Sequence, residues 1–154
     1  MRLDRRWIEE HIPHSGRMCL LDEVIEWDAA HIRCRSGTHR AADHPLRSAG
    51  RLGIACGIEY AAQAMAAHGA LTAGALRAGA AHARPAAGFL AGVRDLRLQV
   101  ARFDDVEGDL TCSAALLAGD TSTALYEFAL ESGTQRLLSG RATVIFDANK
   151  GFKA

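Results

Sequence analysis

The sequence predicts an α+β domain in which an antiparallel sheet wraps around one long central helix. Three observations predict it. Across residues 54–73, Ile54, Ile58, Ala61, Ala62, Met65 and Gly69 recur at three- and four-residue spacing, as on one face of a helix. Between Arg51 and Arg77 the only Asp, Glu, Lys or Arg is Glu59. The helix therefore has almost no polar face, which marks a buried helix. Beyond residue 87 the pattern changes to four strand-like segments, FLAGVRDLRLQVARF, DLTCSAALLAG, TALYEFALES and RLLSGRATVIF. Leu96, Leu98 and Val100 alternate in the first, and Tyr126, Phe128 and Leu130 in the third. Their linkers, DDVEGD, AGDTS and SGTQ, carry the Gly, Asp and Ser of hairpin turns, so an antiparallel meander is expected. Helix and sheet then pack as two layers around one core.

The earlier elements follow in order. Residues 4–11, DRRWIEEH, read as a short opening helix with Asp4 at its N-terminus, ended by the proline and glycine of IPHSG. MCLLDEVIEWD (18–28) reads as a turn of helix running into a strand. HIRCRSGTHR (31–40) alternates Ile32, Cys34 and Ser36 against His31, Arg33 and Arg35, a half-exposed strand. Residues 41–53 form a loop with one proline and two glycines, and 72–87, rich in alanine and glycine, a second. No internal repeat and no second domain is apparent, so 1–154 reads as one domain.

Composition narrows the function classes. At 154 residues the chain is long enough to bury about two thirds of its unfolded surface. Lys plus Arg and Asp plus Glu both number 18, and the arginines are scattered, which argues against a nucleic-acid partner. Cys19, Cys34, Cys56 and Cys112 show neither C-x-x-C spacing nor histidines at metal-site distance, so no metal is expected. The N-terminus lacks the apolar stretch of a signal peptide, and no apolar run is long enough to span a membrane. Scattered thiols without an export signal point to the cytoplasm.

Chemistry must then come from a few side chains. Glu59 and Gln63, at i and i+4, share one helix face. A carboxyl among apolar neighbours has its pKa raised, which suits a general acid near neutral pH. A plain polar stripe is the alternative. Of the seven histidines, His44 stands in the loop that precedes the helix, fifteen positions before Glu59, and such a loop can fold back across the helix N-terminus. It is the first candidate for a general base. His68 lies more than two turns beyond Glu59, His31 and His39 sit on or beside an exposed strand, and His82 is in the alanine-rich loop. His14 is the serious rival.

IPHSGRMCLLDEVIEWD resembles the "I-P-H-x-x-P-F-L-L-V-D-x-V" opening of the 3-hydroxyacyl-acyl-carrier-protein dehydratases of bacterial fatty acid synthesis, which have the hotdog fold. DHPLRSAGRLGIACGIEYAAQAM resembles their histidine loop and acid-bearing helix, "H-F-P-G-x-P-x-x-P-G-V-L-x-x-E-A-M-A-Q". GFLAGVRDLRLQVARFDDVEGDLTCSAALL is similar to the strand pair after that helix. The stretch GIEYAAQAMAAHGAL looks closest to a divergent branch found beside polyketide-type genes for aryl polyene pigments. The likeness covers most of the chain without near identity in any motif. The family's glycine before the histidine is Asp43 here, and its "F-P-G" is Pro45, Leu46 and Arg47.

The resemblance implies that His44 and Glu59 are the catalytic base and acid, that Gln63 and His14 lie along the substrate, and that backbone N–H groups near Gly53 polarise the thioester. It further implies a substrate held on acyl carrier protein and a dimer whose histidine and acid come from opposite subunits, either homodimeric or formed with a related hotdog chain. Neither metal nor dissociable cofactor is required. Two alternatives stay open: a catalytically weak subunit that pairs with an active sister chain, and an acyl thioesterase on the same fold.

Overall fold

The computed structural model describes residues 3–76, 88–120 and 122–146. Strand β1 (Leu3–Asp4) leads into helix α1 (Arg5–His11), whose first turn is capped by the Asp4 carboxylate accepting from Trp7 N–H at 3.0 Å. A 3₁₀ turn at Gly16–Met18 precedes β2 (Glu23–Trp27), followed by β3 (His31–Ser36) and a second 3₁₀ turn at Thr38–Arg40. A third, Ile54–Cys56, runs into the long helix α2 (Gly57–Leu76). Strands β4 (Gly88–Leu98), β5 (Leu110–Gly119), β6 (Thr123–Ser132) and β7 (Gln135–Phe146) complete the chain.

All seven strands join one antiparallel sheet in the order β1-β2-β3-β5-β6-β7-β4, which curls around α2. This is the hotdog arrangement expected from the sequence. The expected strand between residues 31 and 40 stops at Ser36, and the helix expected to end near residue 73 continues to Leu76. The rest of the alanine-rich loop, residues 77–87, lies outside the described residues.

One connection differs from the expected meander. Strands β5, β6 and β7 are consecutive neighbours, but β4 pairs with β7 at the far edge instead of with β5. DDVEGD is therefore no hairpin turn. It lies in the segment that carries the chain from one edge of the sheet to its interior, crossing the start of α2 on the way. There Ile54 N–H donates to Ala101 O, Phe103 N–H to Leu52 O, and Leu52 N–H to the Asp104 carboxylate. Arg102 holds that carboxyl well below the usual range. The alternation of Leu96 and Leu98 marks an edge rather than an interior strand: they are 38% and 49% exposed.

Packing of α2 follows from its small side chains. Tyr60, Ala61, Ala64, Met65 and Ala67 are buried against Ile32, Cys34, Leu110, Cys112, Tyr126, Phe128 and Leu130 of the sheet. At Gly57 the first turn comes so close that a Cβ would stand 2.8 Å from Leu138 Cδ2 and 2.9 Å from Leu130 Cδ2. Glycine is needed here for space, since its backbone is ordinary right-handed helix.

Chemical denaturation should report both features. Met65→Ala, at a fully buried site, is expected to lower stability by about 2–5 kcal/mol. Gly57→Ala, normally favourable in a helix, is expected to lower it by about 1–3 kcal/mol through overpacking. A stabilised Gly57→Ala variant would contradict the close approach.

Candidate active site

The polar residues of α2 divide between two faces. Gln63 and His68 point into the core and are fully buried, whereas Glu59 lies on a half-exposed stripe with Ala62, Ala66 and Gly69. The expectation of a carboxyl enclosed by apolar neighbours is thus corrected: the Glu59 side chain keeps 40% of its exposure.

Glu59 meets His14. Its Oε1 lies 3.4 Å from His14 Nε2. The imidazole, and to a smaller degree its charge, draws the Glu59 carboxyl below the ordinary range against a smaller opposing effect of burial. Glu59 is therefore ionised in the isolated chain, the reverse of the raised pKa expected from the sequence. A carboxylate in the first turn of a helix is also favoured by the helix dipole. His14 Nδ1 is buried and has no hydrogen-bond partner among the described residues.

His44 is brought elsewhere. It is 6% exposed, and its Nε2 lies 2.9 Å from Tyr60 Oη while its Nδ1 accepts from Leu46 N–H at 3.1 Å. Burial, then the Arg47 guanidinium and the neighbouring His39 ring, keeps this ring below the usual histidine range. Both ring nitrogens are engaged within the chain, and neither meets Glu59.

Gln63 is no open substrate contact either. Its Oε1 accepts from Leu20 N–H at 2.8 Å, and its Nε2 donates to Met18 O at 2.7 Å. The carbonyl of Leu20 in turn accepts from Ser36 Oγ and Thr38 Oγ1 at 2.6 and 2.7 Å. Gly53 precedes the 3₁₀ turn before α2 and accepts from Cys56 N–H. No atom lies within 4 Å of where a Gly53 Cβ would stand, so its main chain can be approached.

Two further histidines are buried. His39, expected beside an exposed strand, is enclosed and donates from Nε2 to Val106 O at 2.8 Å. His68 bridges Tyr126 Oη at 2.6 Å and the Asp28 carbonyl at 2.8 Å. The signal for these was residue type within an apolar pattern, which does not reveal the partner. Among the described residues no cluster suits a metal ion, and no helix is long and apolar enough to cross a membrane.

A family model described as ApeP-like, ApeP dehydratase, matches residues 6–151. Among solved structures, the chain is similar to the dehydratase heterocomplex ApeI:P from Xenorhabdus doucetiae, with 24% identity, a TM-score of 0.77 and coverage of 96% of this chain and 97% of that one. A hypothetical thioesterase protein with coenzyme A from Streptococcus pneumoniae matches at 9% identity and TM-score 0.55, covering 80% and 83%. The PaaI protein of the Escherichia coli phenylacetic acid operon matches at 13% and 0.56, covering 79% and 80%. These structural likenesses carry the fold alone. None of the curated proteins matches the sequence.

Burial, the largest cause in each case, lowers the pKa of His39, His44 and His68. Their unfolded-state value is about 6.5. Above it neither state binds protons at these rings, so stability is level. Below it the unfolded chain binds protons that the fold resists, and stability falls until the depressed folded values are reached. The urea midpoint is expected to be flat between about pH 7 and 8 and to decline from about pH 6.5 downward. His68→Gln should shallow that decline. A midpoint constant down to about pH 5 would contradict neutral burial of the three rings.

Proposed function

Since the chain belongs to the ApeP-like dehydratase family, we propose that it is a dehydratase subunit removing water from 3-hydroxyacyl thioesters held on acyl carrier protein, giving trans-2-enoyl thioesters. The family resemblance of its central helix points to aryl polyene assembly as the setting. The observation that carries the reading is the His14–Glu59 pair at the first turn of α2.

Elimination breaks a C2–H bond and a C3–O bond, forms the C2=C3 double bond and releases water. It needs one group to take the C2 proton and one to protonate the departing hydroxyl. A histidine and a carboxyl in contact can do both with one proton between them. With that proton on Glu59, the carboxyl delivers it to the hydroxyl while His14 Nε2 takes the C2 proton. Transfer back across the 3.4 Å contact then resets the pair. Glu59 rests ionised; exclusion of water by a seated acyl chain weakens the charged form and moves the proton toward the carboxyl. The main chain near Gly53 and the positive end of the helix would polarise the thioester carbonyl. His44, the base implied by the resemblance, could take that role only by leaving Tyr60 and Leu46.

A second chain completes the assembly in this reading. Among the described residues, strand β4 stands at the end of the sheet with Leu96 and Leu98 exposed, and it contacts α2. Pairing there with another hotdog chain would extend the sheet and roof an acyl tunnel along Ala62, Ala66 and Gly69. The similarity to a heterocomplex favours a related but different partner, and scattered free thiols suit the cytoplasm. A second reading, a weakly catalytic subunit that shapes the tunnel of an active sister, is favoured by the engagement of both His44 nitrogens. The thioesterase alternative has only the shared fold behind it.

The test follows the enoyl chromophore from a 3-hydroxyacyl thioester on carrier protein or a pantetheine mimic, with the chain alone and with a candidate hotdog partner. Turnover is expected to fall roughly 10²–10⁴-fold in Glu59→Gln and in His14→Ala. Loss in His44→Ala with a fully active His14→Ala would restore His44 as base. Turnover that needs the partner and ignores Glu59→Gln would establish the tunnel-shaping reading. Free thiol released from a saturated acyl substrate would favour the thioesterase.

A further inference from the structure

The region between His44 and His14 contains a hydrogen-bond chain whose direction is fixed at its His44 end. Leu20 O can only accept, and both Ser36 Oγ and Thr38 Oγ1 lie on it. With the Thr38 proton directed there, Thr38 Oγ1 must accept from Tyr60 Oη, 2.8 Å away. Tyr60 Oη has then given up its one proton and must accept from His44 Nε2 at 2.9 Å. That requires the Nε2–H tautomer. At the opposite end, Leu46 N–H points at His44 Nδ1, which demands a lone pair on Nδ1 and the proton on Nε2 and so sets this direction for the whole chain. His44 is thus a fixed donor with no lone pair to offer a substrate.

The chain ends on the segment that carries His14. Leu20 is gripped by its carbonyl through Ser36 and Thr38 and by its N–H through Gln63, which also holds Met18 O. From Met18 back to His14 the backbone makes a single 3₁₀ turn, with Met18 N–H donating to Ser15 O and Cys19 N–H to Gly16 O. On the other side Ile12 is tied to α1 by its N–H to Ile8 O. A catalytic histidine is usually oriented by a hydrogen bond on its second nitrogen. His14 Nδ1 has none among the described residues. Its aim at Glu59 therefore rests on the main chain on either side.

Taking the dehydratase reading as its premise, we propose that His44 is a positioning residue: an Nε2–H donor that acts through Tyr60 and Thr38, together with Gln63, to clamp Met18–Leu20 and so set His14 against Glu59. The proton that His44 carries stays where it is. Displacing a reacting group by about 1 Å can slow turnover by about 10²-fold, which is the loss expected on breaking the chain.

Four variants test this in the assembly that turns over, each first shown to be folded by a cooperative unfolding transition. His44→Ala and Tyr60→Phe are each expected to lower kcat by about 10–10²-fold with KM little changed. The double variant should be no worse than either single one. His44→Gln is the decisive variant, because its amide reaches as Nε2–H does yet exchanges no proton near neutral pH; it is expected to restore kcat most of the way to the parent's, well above His44→Ala. In parallel, the ring NMR signals of His14, assigned through His14→Ala, are expected to shift in Tyr60→Phe and return toward the parent in His44→Gln. A merely structural role for Tyr60 would leave them in place. The proposal is overturned if Tyr60→Phe has parental kcat and parental His14 signals, or if His44→Gln is as slow as His44→Ala while Tyr60→Phe is active. If no variant and no parent assembly turns over, the dehydratase reading fails, and the His14 signals alone still decide whether the clamp exists.

Discussion

A primary amide inside an apolar core must have its hydrogen bonds met, and Gln63 meets that demand by drawing a distant piece of chain across the helix. Its fully buried side chain takes Leu20 N–H and gives to Met18 O, forty-odd positions earlier in the sequence. Leu20 O is then closed off by Ser36 and Thr38 at the end of β3. One polar residue in an otherwise apolar helix thereby fixes where the segment between α1 and β2 lies. That segment covers the first turns of α2, and the His14 side chain arrives at Glu59 because of it. An apolar residue at position 63 would leave a segment with unmatched amide groups and no reason to cross the helix there.

The same constraint explains the electrostatics. Histidines that are buried are held as neutral hydrogen-bonding groups: His39 on Val106 O, His44 between Leu46 and Tyr60, His68 between Asp28 and Tyr126. The His14–Glu59 pair, by contrast, sits at the half-exposed stripe of α2. Groups used for structure are enclosed by this chain alone. Groups suited to chemistry keep partial exposure.

Much of this was legible in residue order. The three- and four-residue recurrence from Ile54 onward marked α2, Asp4 marked the start of α1, and the alternation Tyr126, Phe128, Leu130 marked β6. Glu59, Gln63 and His14 were all picked out by type and place. Their partners were not legible. Leu96 and Leu98 alternate just as Tyr126 and Phe128 do, yet one strand is an exposed edge and the other is central. Periodicity records which residues share a face and not what covers that face.

The sequence by itself determined the class of fold, the single buried helix and a short list of candidate side chains for proton transfer, because these depend on residue type and on spacing along one element. Only the tertiary structure decided that β4 crosses to the far edge, that Gln63 clamps the chain at Met18–Leu20, and that Glu59 faces His14 while His44 is bound to Tyr60. Each of those outcomes joins segments that are far apart along the chain. Their geometry is set by which buried donors and acceptors can be satisfied at once, a condition that no single segment contains.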